Sequence, residues 1–460
     1  MELFAWKPIA MLITTRLLLA ISHRLRSDGC DRLMKSVRKY SGQYLIILSG
    51  ASARVIIQGM YFVLLANTLA LPEFGLFAAI SAAGIIIGSF SGFGFASAAF
   101  RAAATKRRLV GRYLGGLYVM FFISTPVCLA CSYLLYDLAF TGRVILSTYL
   151  AIVLSEIVFW RLLEAVSQIN NGLGSFSQAS AGLVIGAGTR LTAAVIFKLW
   201  FRTLDDWALI YFAANGCGTV FYLYAFNPAS RVCFRGIATL VFGRLRDSLM
   251  FAFSFFIFYA QSELDKLIAA IFVDGRTAGI YAISMRILDL TSVPVRGFLL
   301  LLIRESIRGG WKRSKWSAGI AIEGVLALVS LLGFIAIAAM LAVYPNIMGH
   351  QVAEASPLFT VMALVPVFKN LQEYHAELFF AWKRLELRAI MAALLTFIKA
   401  LLTIIIFLSV PDLRHMGLMF NLQFATTYAV SAVILFETFY RVRTDRAVNR
   451  GDERVPQQTH

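Results

Sequence analysis

Residues 74–100 read FGLFAAISAAGIIIGSFSGFGFASAAF, twenty-seven positions without one charged side chain. About 20 helical residues suffice to cross a ~30 Å hydrocarbon layer. Helix is the conformation that leaves no unpaired backbone group facing lipid, so this run is read as a membrane span. Read outward with the same ruler, the chain yields twelve spans, at residues 44–66, 74–100, 113–136, 144–166, 178–200, 207–226, 248–272, 279–303, 317–344, 357–382, 389–410 and 416–439. Composition agrees. Of 460 residues 59% are hydrophobic and the mean hydropathy is +0.74, beyond what a soluble domain tolerates.

The decisive stretch also repeats. Gly75-Leu76-Phe77-Ala78 opens the second span and Gly279-Ile280-Tyr281-Ala282 opens the eighth, 204 residues later and six spans on. Six spans per repeat bring both copies into the membrane from the same side, so the repeats are parallel. The expected fold class is an all-α polytopic membrane protein of about 12 transmembrane helices in two six-helix bundles related as parallel repeats. The expected organisation is a basic cytoplasmic segment 1–43, a first bundle 44–226, a linker 227–247, a second bundle 248–439 and a basic tail 440–460. In the linker the spacing of Phe234, Ile237, Leu240 and Val241 predicts an amphipathic surface helix. Within 1–43, the short run 9–21 is interrupted by Arg16; it reads as an interfacial helix, a vestigial signal-like segment, or an overlong start with Met34 as the true beginning.

Charge sets the orientation. The chain carries a formal +18, from 43 Lys and Arg against 25 Asp and Glu. Thirty of the basic residues fall in the two tails and alternate loops, whereas the six opposite loops contain only Arg143, Arg202, Arg276 and Arg414. The positive-inside rule then places both termini in the cytoplasm. Most of the charge is a topology signal and an attraction to anionic membrane lipids. No polar stretch is long enough for a basic soluble domain, which sets nucleic-acid binding aside. Five scattered cysteines argue against a disulfide framework, Cys128 and Cys131 read as packing residues in an apolar helix, and five unclustered histidines offer no metal spacing. Neither a cofactor nor a metal is expected.

Charges within spans cost about 2.5 to 3.5 kcal/mol each at a helix centre, so each calls for a cavity or a partner. Arg54, Glu156 and Arg190 stand mid-span in the first half; Glu263, Asp265, Lys266, Lys369 and Glu373 stand in the second. Arg286, Asp289 and Arg296, three and seven apart, share one stripe of the eighth span and imply a wet interior. Local pairing of Arg161 with Glu164, Arg286 with Asp289 and Lys369 with Glu373 would explain several of them without function. Arg54 and Arg190 have no such local acid. In-span charge is four bases to two acids in the first half and five to seven in the second. Gly84, Gly88 and Gly92 predict a close helix approach along one face. Pro126, Pro294 and Pro366 predict kinks in spans three, eight and ten.

The octapeptide Leu71-Pro72-Glu73-Phe74-Gly75-Leu76-Phe77-Ala78, with Asp265-Lys266-Leu267-Ile268, Gly279-Ile280-Tyr281-Ala282 and Arg286 in the second half, resembles the bacterial polysaccharide (O-antigen and exopolysaccharide) flippases of the multidrug/oligosaccharidyl-lipid/polysaccharide exporter superfamily. The resemblance spans roughly residues 35–443. It implies movement of an undecaprenyl-pyrophosphate-linked oligosaccharide to the outer leaflet by alternating access, alongside a polysaccharide polymerase and co-polymerase in the same membrane, with no covalent chemistry. Arg54, Arg190, Arg286 and Lys369 are then the candidates for the pyrophosphate and sugar, and Asp265, Asp289, Glu156 and Glu373 for ion coupling. A drug exporter of the same superfamily shares the frame but favours an acidic or aromatic pocket. A membrane polymerase or ligase usually needs a sizeable outer loop, and the longest here is expected at 345–356.

Overall fold

The computed structural model describes residues 53–227, 232–292, 316–382 and 384–452, with Val295 and Leu299. Among them there is no strand. The elements are α1 (Ala53–Ala66), α2 (Leu71–Ile87), α3 (Phe95–Thr105), α4 (Val110–Ala139), α5 (Leu146–Leu154), α6 (Arg161–Gly172), α7 (Phe176–Trp200), α8 (Leu204–Ala225), α9 (Ile237–Phe242), α10 (Leu245–Phe272), α11 (Gly275–Thr291), α12 (Trp316–Val343), α13 (His350–Val361), α14 (Val365–Ala381), α15 (Leu385–Ser409) and α16 (Leu413–Asp452). Seven helical runs are long and apolar enough to span a membrane, and the bent pair α13–α14 makes an eighth. The other four expected spans contain α1, α5–α6, α10 and α11. Of these, α5–α6 is interrupted by a π-helical segment, Ser155–Trp160, and α10 carries Glu263, Asp265 and Lys266. The fold is that of a multi-pass, all-helical membrane protein.

Several boundaries differ from expectation for physical reasons. The second span is not one helix: Gly92, Phe93 and Gly94 adopt left-handed backbone, breaking it into α2 and α3. Glycine supplies that conformation without a Cβ penalty. Gly92 therefore belongs to a kink, while Gly84 and Gly88 do serve close packing, against Glu156 and Arg161 respectively. The tenth span begins earlier than expected, because residues from His350 onward already coil as α13, and it then bends by 71° before α14. Pro366 sits in the first turn of α14, where its missing N–H is harmless, so the bend precedes the proline. Pro126 lies inside α4. Pro294, Arg296 and the segment 1–43 lie outside the described residues. The amphipathic linker helix is present as α9, with Ile237 and Val241 buried. Cys128 and Cys131 are free thiols, the first buried.

The halves meet along α2. At its start Gly75 and Gly279 pack together so tightly that a Cβ on Gly279 would lie 2.2 Å from the Leu71 carbonyl oxygen. Beyond its far end, a Cβ on Gly94 would lie 2.2 Å from the Ser248 carbonyl oxygen at the start of α10. The repeated glycine that marks the two half-starts in sequence is thus the place where they touch. The same end, whose loops carry few basic residues, is fastened by polar bonds: Asn67 Nδ2 donates to the Met348 carbonyl at 2.6 Å, and Arg143 donates to the Ala270 carbonyl. Arg276 and Glu354 form an exposed ion pair there too. Exposed pairs contribute about 0–1 kcal/mol, so Arg276→Ala should leave the melting midpoint of the purified protein almost unchanged.

Candidate functional site

Six of the charges that sequence reading found inside spans line one cavity of about 180 Å³ between α1, α2, α7 and α8 on one side and α10 and α11 on the other. Its charged lining is Glu156, Arg190, Glu263, Lys266, Arg286 and Asp289.

On the first-half wall, α5 and α6 are joined by a π-helical segment, Ser155–Trp160, that carries Glu156. Such wide turns recur at functional sites. Gly84 makes room for it, since a Cβ there would lie 2.9 Å from the Glu156 Cβ. Ser81, one turn earlier on α2, donates to Glu156 Oε1 at 3.1 Å, and the Tyr211 hydroxyl donates to the same oxygen. Arg190 completes the group with an ion pair to Glu156 at 3.3 Å and a bond from Nε to Asn215 Oδ1 at 2.9 Å. Its guanidinium lies 4.2 Å from the centre of the Trp160 ring and 5.1 Å from that of Tyr211. Arg190, with no acid on its own helix, therefore finds one 34 residues away. Arg54 also faces the Trp160 ring, at 5.5 Å.

Across the cavity, Lys266 pairs with Glu263 at 2.5 Å. Asp289 pairs with Lys369 of α14 rather than with Arg286, and Lys369 thereby meets Asp289 instead of the expected Glu373. Neither local pair is among the ion pairs of the described residues, because Asp289 draws Lys369 from the neighbouring helix. The local pair Arg161–Glu164 does form, at 2.9 Å, with Arg161 also donating to the Ile85 carbonyl and lying 4.0 Å over the Tyr259 ring of α10. Glu373 lies half-buried one turn past Lys369 on α14.

Asp265 does not line the cavity. It is buried inside the second half, where Lys399 Nζ donates to it at 3.0 Å and the Tyr281 hydroxyl at 2.9 Å. Its helix adjoins that of Asp289, but Asp265 meets Lys399 and Asp289 meets Lys369. Lys399, Tyr211, Tyr61 and Ser81 escaped the sequence reading as site residues. Ser81 and Gly84 bracket one helical turn, a pattern that could have pointed to a polar partner.

Arg286 differs from the other cations. It lines the cavity, is exposed to it, and makes no hydrogen bond or ion pair among the described residues. Glu156, Glu263 and Asp289 each sit against a cation. With Lys369 counted beside Asp289, the cavity has one formal positive charge left over, on Arg286. Such a guanidinium can take an anionic oxygen pair through its planar fork.

No protein-family model and no curated protein sequence matches the chain. Solved structures do. A ligand-bound multidrug transporter of the MATE type, DinF-BH, superposes with a TM-score of 0.61 at 14% identity, over 90% of this chain and 97% of that one. The lipid II flippase MurJ in an inward closed conformation gives 0.60 at 13%, over 86% and 87%. An inward-facing MATE transporter of the MOP superfamily gives 0.58 at 14%, over 87% and 99%. At these identities the likeness is one of fold: the chain has the fold of MOP-superfamily transporters.

Proposed function

We propose that this protein is a flippase that moves an undecaprenyl-pyrophosphate-linked oligosaccharide across the bacterial cytoplasmic membrane by alternating access, without covalent chemistry. The observation that carries the reading is Arg286, the cavity-facing cation whose neighbours are already neutralised. A hydrated pyrophosphate cannot cross hydrocarbon unaided. A polar seam between two bundles removes that barrier while the prenyl tail stays in lipid. Similarity to a lipid II flippase and the sequence resemblance to polysaccharide flippases point the same way. The basic asymmetry of the loops favours cytoplasmic termini, with polymerase and co-polymerase as membrane partners.

In this reading Arg286 is the first contact of the pyrophosphate. Lys369 is a second once Asp289 is displaced from it, and Arg190 belongs to the first-half wall, with Arg54 near the same Trp160 ring. The carboxylates Glu156, Glu263 and Asp289 favour the drug-exporter alternative, in which a cationic solute would replace their present partners.

Proteoliposomes separate the two. The purified chain should translocate a fluorescent undecaprenyl-pyrophosphate oligosaccharide and leave a cationic dye in place. A charged hydrogen bond is worth about 1.5–3 kcal/mol, so Arg286→Gln should slow translocation by about tenfold or more, and Lys should restore only part because it lacks the fork. Dye movement without lipid movement would replace the flippase reading by the exporter one.

A further inference from the structure

The second span breaks where Gly92, Phe93 and Gly94 adopt left-handed backbone, with φ of 65°, 44° and 72°. Two of the three are glycines and bear it freely. Phe93 is the one non-glycine residue with positive φ among the described residues. For a residue with a Cβ that conformation is costly. Strain of this kind persists only where surrounding contacts over-determine it, and it clusters at sites and switch regions.

Those contacts run in two directions. Toward the cavity wall, the Ser91 hydroxyl donates to the Ile157 carbonyl at 2.7 Å, and Ile157 belongs to the π-helical segment that carries Glu156. The Gly92 amide donates to Ser124 Oγ of α4, also at 2.7 Å. Toward the second half, Gly94 presses on the start of α10: a Cβ there would lie 2.2 Å from the Ser248 carbonyl oxygen and 2.7 Å from the Ala252 nitrogen. The rings of Phe90 and Phe256 meet at 5.4 Å, and the Arg101 guanidinium lies 5.0 Å over the Phe251 ring. The break therefore touches the cavity wall on one side and, on the other, the contact between the halves at the end with the basic loops.

This closed contact carries a second unfavourable feature. Ser248 is fully buried, and its hydroxyl has no hydrogen-bond partner among the described residues. A buried hydroxyl left unpaired costs free energy. Parting of the halves at this end relieves both features, because water reaches Ser248 and the backbone of 92–94, no longer pressed by α10, can return to right-handed helix.

We infer that Ser91–Gly94 is a strained hinge that couples the contact between the halves at that end to the π-helical segment of the cavity wall. When the halves part the hinge relaxes, Ser91 leaves Ile157, and the segment holding Glu156 loses one of its anchors. Phe93 sets the balance. A third glycine would free the closed form of strain, whereas phenylalanine keeps the relaxed form within reach while its ring packs against the core of α3, α4 and α6. The hinge goes beyond the flippase reading and serves either class of solute.

Hydrogen exchange of the full chain in lipid nanodiscs, with no transported solute, tests the hinge separately from that reading. Exchange registers even rare local opening. Peptides covering Gly88–Gly94 and Ser155–Trp160 are compared, after correction for intrinsic rates, between Phe93→Gly and Phe93→Ala. Both variants lack the ring, and they differ in the Cβ that makes left-handed backbone costly. Glycine is also the poorer residue in a right-handed helix, so both effects favour the closed form in Phe93→Gly. Both segments should exchange about 5- to 30-fold more slowly there than in Phe93→Ala. Ser248→Ala, which removes the unpaired hydroxyl, should slow both segments relative to the wild type. Adding Ser91→Ala to the two Phe93 variants should leave their difference at Gly88–Gly94 and erase it at Ser155–Trp160. Equal exchange at Gly88–Gly94 in the two Phe93 variants overturns the hinge. Exchange at Ser155–Trp160 that ignores position 93 while Ser91 is intact overturns the coupling.

Discussion

Gly279→Val should open the end of the bundle with few basic loops. The Cβ it adds would lie 2.2 Å from the Leu71 carbonyl oxygen and 2.9 Å from its carbonyl carbon. Backbone cannot rotate out of the way as the tip of a side chain can, so α2 and α11 must separate where the halves now meet. Overpacking of this kind costs about 1–3 kcal/mol, occasionally more, and the contact removed adjoins Phe74 of the cavity lining. A cysteine placed at Ser81 in the cavity lining, in a background without the native cysteines, reports the change. Labelling by a membrane-impermeant thiol reagent from that side should speed up by about tenfold to a hundredfold, in line with that cost. Gly188→Ala is the control, because nothing lies within 4 Å of its added Cβ. Unchanged labelling of a well-folded Gly279→Val protein would mean that this contact does not seal the cavity.

Asp265→Asn should destabilise the second half more than any exposed substitution. Lys399 would lose the negative charge that compensates its buried ammonium and keep only neutral partners such as the Gln261 carbonyl, at 2.9 Å. Removing one member of a buried ion pair costs about 3–5 kcal/mol, because the remaining charge is left without compensation. The double variant Asp265→Asn with Lys399→Met removes both charges and should recover most of that loss. Thermal unfolding of the purified protein in detergent measures both. A double variant no better than Asp265→Asn alone would show that the carboxylate acts through Tyr281, which also bonds it, and not through Lys399.

The two predictions draw on different levels of information. Gly279 is conspicuous in the sequence because its tetrapeptide repeats, and the repeat is a local pattern. That the two copies press against each other could not be read there. The same holds for charge. Most spans, the linker helix and the presence of a polar interior follow from hydropathy and spacing, since lipid allows a backbone only one way to bury itself. The breaks at Gly92–Gly94 and between α13 and α14 are less legible, because apolar composition continues through both.

By itself, the sequence determined that this is a polytopic helical membrane protein with charge inside its spans. It also located the residues that carry that charge, Arg54, Glu156, Arg190, Asp265, Arg286, Asp289, Lys369 and Glu373 among them. Only the tertiary structure decided which of them answer to each other. Glu156 meets Arg190 across 34 residues, Asp289 meets Lys369 across 80, and Asp265 meets Lys399 across 134. Local pairs at three- and four-residue spacing are what a lone helix offers. In a packed bundle a cation on the next helix is closer and better desolvated, so the bundle chooses the partner, and that choice leaves Arg286 facing the cavity.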